Sequence, residues 1–461
     1  MRLPVFCLAF LLMLSACRKE EKITSDASAK LHFSTDTVLF DTVFTSIGST
    51  SRRLKVYNRN ENAVRISEIA LAGADGSSYQ VNINGQPVNK AASLELAGKD
   101  SLNIFIKVLI DPGSASLPFI VTDSLSFLTN GNRQSVQLRA YGQNARFING
   151  ETIRGNVTWD NSLPYVVYNS ALVSEGSKLS IGKGTRIYFH KDSKLFIAGS
   201  VEAKGDVDEP VSFMGDRLEQ IYTDEPGQWG GLHFLSQSRD NILHFARIKN
   251  AITGIRVDSL SNNANPKLII SSSVIHNMEV AGVLMYNADV SAFNNLVYNC
   301  GQFLVYGALG GNYNFKQNTF AGFNFMFARQ GPAVYFADFF NADNGMQTAP
   351  LQVNLANNII WGSNDNELLT EKKGNAEIKL SLNNNLFKTT DTSLNVNGNI
   401  LNSDPLFIDA AKGNFALAAN SAALNKGLNL TTDRYFTTYL RTDLKKITRI
   451  FPSDLGCYEF K

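Results

Sequence analysis

The feature that most restricts how this chain can fold is an asparagine that recurs at regular spacing. Ile248, Ile275 and Val297 each stand two places before such an asparagine, at intervals of 27 and 22 residues. A further series of asparagines starts at Asn295 and continues at steps of 23, 40 and 27 residues. The asparagines of the predicted ladder are Asn250, Asn277, Asn299, Asn318, Asn358 and Asn385. Repeats of this length are typical of a solenoid in which each repeat forms one coil.

Asparagine suits both the corners and the stacked positions of a parallel β-helix. Neighbouring strands lie about 4.8 Å apart, so equivalent amides can hydrogen-bond from one coil to the next. Asparagine also tolerates the left-handed backbone that a tight corner requires. The chain contains 47 asparagines among 461 residues, concentrated after residue 260. The pattern predicts a parallel β-helix over residues 146–400, with an insertion in the 40-residue step between Phe320 and Asn358.

Residues 30–145 have the two-residue periodicity of half-buried antiparallel strands. Apolar residues alternate at Leu102, Ile104 and Ile106, and similar runs are separated by turn clusters such as residues 130–132. Several short strands punctuated by turns predict a β-sandwich. The whole chain is therefore predicted to be all-β, with a sandwich before the solenoid.

The amino terminus has the pattern of a secretory signal. Residues 3–13 form an apolar run that is shorter than the about 18 residues needed to span a bilayer. Residues 14–17, Leu-Ser-Ala-Cys, resemble the lipobox of bacterial lipoproteins. The resemblance implies that residues 1–17 are the signal peptide with its lipobox cysteine, and that Cys17 is acylated. A plain cleaved signal with a chance cysteine is the alternative.

The polar residues 18–29 after this cysteine predict a flexible tether. Residues 19–21, Lys-Glu-Glu, resemble the export signal of lipoproteins of Bacteroidota, and a solvated charge run is the alternative. The resemblance implies a surface-exposed protein held to the bacterial outer membrane by its lipid. Once the signal is removed, two cysteines remain besides Cys17, namely Cys300 and Cys457. Two separate buried thiols are favoured over a disulfide.

Three further segments resemble known families. Residues 41–69 are similar to Ig-like domains of the ASPM, SPD-2 and hydin type, which are mostly spacers. From residue 179, short strands with glycine corners resemble the first coils of right-handed parallel β-helix proteins. Residues 404–407, Asp-Pro-Leu-Phe, and 455–459, Leu-Gly-Cys-Tyr-Glu, resemble the choice-of-anchor Q tail of bacterial surface proteins. That resemblance implies that residues 401–461 cap the carboxyl-terminal end of the β-helix.

Charge and motif content restrict the chemistry. Lys plus Arg number 43 and Asp plus Glu 41, so no basic field is available for a nucleic-acid partner. The densest acidic stretch, residues 206–225, falls in a predicted loop. A solvated loop is favoured there, and a calcium site or an acidic catalytic pair stays open. The histidines of the solenoid never form a close pair, so no metal site, no other cofactor and no catalytic residue is assigned.

Aromatic residues crowd the segment between Phe303 and Phe340. Most are expected to fill the interior of the coils. Rings on the flat outer face of a solenoid can instead stack on sugar rings, while amides bond to hydroxyls. The exposed subset, which forms the candidate ligand-binding site, is predicted to be Tyr306, Tyr313, Arg329, Tyr335, Asp338 and Asn341.

Together these features predict a cell-surface lipoprotein that acts as a non-catalytic recognition or scaffold module, with polysaccharide as the favoured partner. A polysaccharide lyase or glycoside hydrolase on the β-helix is the first alternative, because such enzymes share the fold that the sequence resembles. A structural or adhesive envelope protein is the second.

Overall fold

The computed structural model describes residues 22–112, 119–343 and 345–460. The chain divides into two compact units, Met1–Asn144 and Ala145–Lys461. Cys17, the signal peptide and residues 18–21 of the predicted tether lie outside the described residues. Within the three described ranges, no helix is long and apolar enough to cross a membrane. Both units consist of strands with only short helical turns, which confirms the all-β prediction.

The first unit is a β-sandwich of two sheets whose strands bury alternate residues. One sheet contains Ile23–Thr24, Thr37–Phe44, Ala63–Leu71, Lys90–Leu96, Phe119–Thr129 and Asn132–Gln143. The other contains His32–Phe33, Arg52–Tyr57, Tyr79–Ile83, Gln86–Pro87 and Ser101–Val108. A 3-10 turn lies at Ala74–Gly76. Ile104, Ile106 and Phe127 are buried in a core to which both sheets contribute.

One part of the predicted tether belongs to this sandwich. Ile23 and Thr24 pair in parallel with Ala63 and Val64. Ala29 is buried in the same core. The prediction of a flexible tether was therefore wrong for these residues, because an edge strand can take up a short polar segment through backbone hydrogen bonds alone.

The second unit is a parallel β-helix with three sheets, here called sheets 1, 2 and 3. Sheet 1 includes Lys194–Ile197, Gly231–Phe234, Thr253–Asp258, Val334–Ala337 and Leu368–Glu371. Sheet 2 includes Asn156–Trp159, Lys178–Ile181, Ser200–Lys204, Asn241–His244, Leu268–Ser271, Leu351–Ala356 and Ile378–Asn383. Sheet 3 includes Arg186–Phe189, Val211–Gly215, Ala246–Lys249, Val274–Met278, Leu296–Cys300, Thr319–Gly322, Ile359–Gly362, Leu386–Phe387 and Ile400–Leu401.

Four longer strands bend from one sheet into the next. Arg146–Ile153 and Tyr165–Val173 run from sheet 3 into sheet 1, and Ala281–Phe293 and Phe303–Lys316 run from sheet 1 into sheet 2. Inward residues of all three sheets form one continuous apolar core. Alternation along each strand therefore decides which side chains face outward.

The predicted register of the repeat is confirmed. Ile248 pairs with Ile275, and Ile275 pairs with Val297. The six predicted ladder positions, however, form two columns rather than one. Lys249 pairs with His276, so Asn250 and Asn277 follow at equivalent positions.

In the first column, asparagines occupy the corner that follows the sheet 3 strands. Asn250, Asn277 and Asn299 all have positive φ angles, of 64°, 58° and 50°. Asn299 Nδ2 donates to Asn277 Oδ1 at 3.2 Å. Asn250 instead donates to the carbonyl of Thr223 at 2.9 Å. This column supplies corner geometry more than amide stacking.

The second column is buried and forms a continuous amide ladder. Its members are Asn295, Asn318, Asn358, Asn385 and Asn399. Asn295 Nδ2 donates to Asn318 Oδ1 and Asn318 Nδ2 donates to Asn358 Oδ1, both at 2.9 Å. Asn358 donates to Asn385 at 3.0 Å, and Asn385 to Asn399 at 3.1 Å. The residue before most rungs makes the left-handed corner, as at Asn294, Gln317, Asn357 and Asn384.

The 40-residue step contains the predicted insertion. A hairpin formed by Phe339–Ala342 and Gly345–Thr348 projects from the coil there. Residues 323–333 form a second excursion, with no strand assigned.

The carboxyl-terminal segment was expected to cap the end of the β-helix, and it lies along its side instead. Cys457 N donates to Thr319 Oγ1 at 3.0 Å, and Asn294 Nδ2 donates to the carbonyl of Thr442 at 2.9 Å. Lys446 Nζ lies 2.5 Å from Asp206 Oδ1, on a coil several turns before the one that contains Thr319. Apolar outward residues of sheet 3, such as Leu296, must be covered, and the segment covers them.

This covering segment has little regular structure. It contains the hairpin Phe407–Asp409 and Asn414–Leu417, a 3-10 turn at Ala410–Lys412 and a π-helical turn at Phe436–Leu440. Other 3-10 turns lie at Gln220–Tyr222 and Thr392–Leu394. Cys300 and Cys457 are buried free thiols, so the favoured prediction is confirmed and the disulfide is wrong.

Candidate functional site

Outward residues of sheet 1 form a continuous row, because its strands pair in parallel and in register. Phe196 pairs with His233, and His233 pairs with Arg256. Arg256 pairs with Leu284, which pairs with Tyr306, and Tyr306 pairs with Tyr335. One outward residue from each successive coil thus contributes to a single surface along the β-helix.

Five rings cluster at the middle of this surface, and we call them the aromatic face: Tyr286, Phe303, Tyr306, Tyr335 and Phe340. Tyr306 and Tyr335 stack with ring centroids 5.1 Å apart and an interplanar angle of 14°. Phe303 lies 4.9 Å from Tyr306. Phe340, from the inserted hairpin, meets Tyr286 edge-on at 5.1 Å. All five rings are half-buried, so each presents part of its surface to solvent.

Charged groups border the aromatic face. Asp258 accepts a hydrogen bond from Arg256 Nε at 2.9 Å and lies 2.7 Å from His233 Nε2. The guanidinium of Arg256 lies 5.2 Å from the ring of Tyr286. Burial alone raises the pKa of Asp258, but the hydrogen bonds from His233 and Arg256 outweigh it and lower that pKa. Asp258 therefore stays ionised at neutral pH.

The other end of the face carries a second carboxylate. The hydroxyl of Tyr335 donates to Glu371 at 2.6 Å. Burial and the nearby Glu371 carboxylate both raise the pKa of Tyr335, so its hydroxyl stays protonated. The surface therefore combines stacked rings with two carboxylates, one guanidinium and one imidazole.

Two of the predicted site residues, Tyr306 and Tyr335, are brought together at the centre of this face. Asn341 is exposed on the inserted hairpin, where it pairs with Met346. Whether any of them binds a ligand stays a prediction.

Tyr313, Arg329 and Asp338 were expected to be exposed, and that expectation was wrong. Their exposed fractions are 1%, 3% and 0%. Tyr313 points inward by strand alternation, and its hydroxyl donates to the carbonyl of Gly310 at 2.8 Å. Arg329 forms a buried ion pair with Glu367. Asp338 accepts from the backbone amides of Lys373 and Gly374, at 2.8 and 3.0 Å.

The sequence reasoning missed Tyr286 and Arg256. Both lie outside the stretch where aromatic residues are dense. Their places could have been found by extending the coil register, since Arg256 is two coils before Tyr306 in the same outward row.

Among the described residues, no group of three or more His, Cys, Asp and Glu side chains is arranged to hold a metal ion. The acidic residues of the stretch 206–225 lie in the loops on either side of the strand Val211–Gly215, and Arg217 contacts Glu219 there at 3.1 Å. Asp224 accepts a hydrogen bond from Asn277 at 3.1 Å.

The second unit is a parallel β-helix, and the first unit is a β-sandwich. The family described as "Pectate-lyase like beta helix domain" matches residues 150–255. No curated protein matches the chain in a sequence comparison.

Several solved structures are similar to parts of the chain. A family 123 glycoside hydrolase from Clostridium perfringens has 9% identity over 25% of this chain and 26% of that chain, with a TM-score of 0.18. A PapD-like domain of human CEP192 has 14% identity over 28% of this chain and 94% of that chain, with a TM-score of 0.17. A Porphyromonas gingivalis protein of unknown function has 14% identity over 27% of this chain and 60% of that chain, with a TM-score of 0.17. The chain thus spans about a quarter of the hydrolase, as that 26% coverage states.

Proposed function

We propose that this protein is a lipid-anchored envelope protein that binds polysaccharide on the aromatic face without cleaving it. The observation that carries the proposal is the stacked pair Tyr306 and Tyr335 on a flat outer sheet. The C–H faces of sugar rings pack on aromatic rings, which combine a large apolar area with a low entropy cost of ordering. Five such rings on one surface offer more than one stacking position.

The polar border suits a hydroxylated polymer. Asp258 and Glu371 can accept hydrogen bonds from sugar hydroxyls, and Arg256 can donate them. The outward row continues from Phe196 through His233 beyond the rings. A chain lying along the β-helix would therefore contact equivalent positions on successive coils.

Binding to insoluble and soluble polysaccharides tests this proposal. The double variant Tyr306→Ala/Tyr335→Ala is expected to weaken binding at least about tenfold, because burying one large side chain contributes about 1.5–3 kcal/mol. Phe105→Ala, which removes an exposed ring from the sandwich, is the matched control. Equal retention of the double variant and the wild type on every polysaccharide that binds would contradict the proposal.

A lyase or hydrolase is the second candidate, and the observation in its favour is the pectate-lyase-like match over residues 150–255. Asp258 and Glu371 provide carboxylates on the same face as the rings. Incubation with uronate-containing polysaccharide separates the candidates, because a lyase produces unsaturated ends that absorb ultraviolet light, and a hydrolase releases reducing ends without them. If the wild type cleaves polysaccharide and Asp258→Asn does not, the protein is an enzyme, and the proposal of binding without cleavage is wrong. Failure of every glycan to bind or react would favour a structural or adhesive role.

The lipid anchor rests on residues 14–17 of the sequence. Two or three acyl chains hold a protein to a bilayer far more firmly than one. Labelling with a radioactive fatty acid is expected to mark the wild type and not Cys17→Ser, and the variant is expected in the soluble fraction. An unlabelled wild-type protein would refute the anchor, while protease treatment of intact cells distinguishes the external from the periplasmic face.

A further inference from the structure

A second concave surface lies on sheet 2, away from the aromatic face. Here the segment 433–435 crosses over the outward residues of three successive coils and leaves a groove of about 290 Å³. We call it the polar groove. The side chains that the following argument uses are Asp289, Asn312, Asn314, Gln352, Asn354 and Tyr435.

The floor of the polar groove is a grid of amides, and strand register places them. Asp289 pairs with Asn312, and Asn312 pairs with Gln352. In the next outward row, Asn314 pairs with Asn354, and Asn354 Nδ2 donates to Asn314 Oδ1 at 3.2 Å. Neighbouring coils thus present donors and acceptors about 4.8 Å apart, a spacing that one sugar ring can bridge.

Three of these side chains have hydrogen-bonding capacity that the protein does not use. Among the described residues, the side chains of Asp289, Asn312 and Gln352 make no hydrogen bond to another protein group. Asp289 is nevertheless half-buried. Asn312 and Gln352 are exposed. A half-buried carboxylate and two solvent-facing amides, held in register by the strands, are therefore available to bind a ligand rich in hydroxyls.

The wall of the groove is aromatic. The ring of Tyr435 packs on Phe293 with centroids 4.8 Å apart, which fixes its orientation. The guanidinium of Arg434 lies 4.5 Å from the Tyr435 ring and donates to its hydroxyl. Asp433 forms an ion pair with Lys316, which ties the segment to sheet 2.

The charges of the groove cancel. Of the residues that line the groove, Lys316 and Arg434 are positive, and Asp289 and Asp433 are negative. A metal cation would meet these positive charges, and an anion would meet Asp289. The ligand that fits is therefore uncharged.

A second lobe continues the groove on the other side of Tyr435. It has a volume of about 470 Å³ and shares Pro266, Arg434 and Tyr435 with the first. Asp240 at its edge accepts hydrogen bonds from Asn263 and Asn265, both at 2.9 Å. The two lobes together have room for several linked sugar units, since small-ligand sites measure about 300–1,000 Å³.

We propose that the polar groove is a second saccharide site, specific for neutral oligosaccharides, in which Tyr435 stacks on a ring while Asp289, Asn312 and Gln352 bind its hydroxyls. The site is separate from the aromatic face and does not depend on the function proposed for it. It binds short neutral chains, whereas the aromatic face accommodates a polymer.

Titration calorimetry of the full chain tests this proposal with maltotetraose, cellotetraose, mannotetraose and galactotetraose as probes. At least one is expected to bind. Asp289→Asn and Gln352→Leu are each expected to weaken that binding about tenfold, because the first replaces a charged acceptor oxygen by an NH2 donor and the second removes the amide. Asp208→Asn makes the same change at an exposed loop carboxylate and is expected to leave binding unchanged. Circular dichroism checks that each variant is folded.

Tetragalacturonate provides the matched charged probe for galactotetraose. The uncharged groove is expected to bind it more weakly than the best neutral tetrasaccharide. The proposal is overturned if none of the neutral probes binds, if the two groove variants bind as the wild type does, or if tetragalacturonate binds more tightly than all of them. The polysaccharide assay with Tyr306→Ala/Tyr335→Ala uses different variants and different probes, so the failure of either site is seen separately.

Discussion

The side-chain oxygen of Asn358 accepts two hydrogen bonds from Asn318 in the adjacent coil, one from the backbone amide and one from Nδ2, both at 2.9 Å. The Nδ2 atom of Asn358 in turn donates to Asn385 at 3.0 Å and to the carbonyl of Phe315 at 2.9 Å. The side chain of Asn358 is completely buried. One amide therefore satisfies polar groups on both of the coils that flank its own.

Replacing this rung is expected to destabilise the β-helix severely. Asn358→Ala leaves the backbone amide of Asn318 and the carbonyl of Phe315 buried without a partner, and each unsatisfied group costs about 1–3 kcal/mol. We expect the free energy of unfolding to fall by about 3 kcal/mol or more, measured by urea denaturation. Asn375→Ala, at an exposed position, is the control and should change stability by less than about 0.5 kcal/mol. Similar effects at both positions would mean that the ladder contributes no stability.

The buried ion pair makes a second stability prediction. Arg329 Nη2 contacts both carboxylate oxygens of Glu367, at 2.8 and 2.7 Å, and Glu367 also accepts from the backbone amide of Ala333 at 2.9 Å. Arg329→Met leaves a buried charge without its partner, which is expected to cost about 3–5 kcal/mol. Arg329→Met/Glu367→Leu removes both charges and should be less destabilising than the single variant. Additive losses in thermal unfolding would contradict this coupling.

The register of the β-helix could be predicted from the sequence because it depends on local spacing. Ile248, Ile275 and Val297 align as their spacing predicts, since one residue of slip would turn every inward side chain outward. The division of the asparagines into two columns could not be predicted from spacing alone. Asn299 and Asn295 belong to the same coil, and only the fold shows which of them lies at the outer corner and which points inward.

The site was predicted less completely, for reasons that concern long-range contacts. Tyr306 and Tyr335 follow from strand alternation, but Arg329 lies within the excursion 323–333 and Asp338 directly precedes the inserted hairpin, where no periodicity indicates burial. The polar groove depends on residues 433–435 lying near Asn312 and Asn354, which are 121 and 79 positions before residue 433. Docking of that segment is a tertiary contact, and local pattern contains no signal for it.

Tyr335 allows the two roles of a tyrosine on the aromatic face to be separated. Tyr335→Phe keeps the ring that stacks on Tyr306 and removes only the hydroxyl that donates to Glu371. If stacking binds the polysaccharide, the phenylalanine variant should bind within about threefold of the wild type, while Tyr335→Ala should lose about tenfold or more. Affinity electrophoresis in gels that contain the polysaccharide measures both. Equal losses in the two variants would assign the affinity to the hydroxyl and its carboxylate instead.

The raised pKa of Asp289 predicts that this residue contributes less stability as the pH rises. A carboxylate in an ordinary ion pair has a lowered pKa and contributes more stability at higher pH. Burial raises the pKa of Asp289 to about 6 from 3.8, although the positive charges of Arg434 and Lys267 oppose the shift. The other charged groups at this site, Lys316 and Asp433, neutralise each other. Between pH 4 and pH 6 the folded state therefore binds more protons at Asp289 than the unfolded state does, and stability contributed by this residue falls as the pH rises through that window.

The variant Asp289→Asn removes this titration while keeping the shape of the side chain. Its midpoint of thermal unfolding is expected to exceed that of the wild type at pH 8, and the difference should shrink as the pH is lowered through about 6 towards 4, where the wild-type carboxyl becomes protonated. Asp208→Asn, at an exposed carboxylate, should show no such dependence. Asp289→Asn is therefore expected to be more stable than the wild type and to bind tetrasaccharide more weakly. This combination indicates that the carboxylate serves ligand binding at a cost in stability. A wild type that is more stable than Asp289→Asn at pH 8 would show that the carboxylate serves the fold and not a ligand.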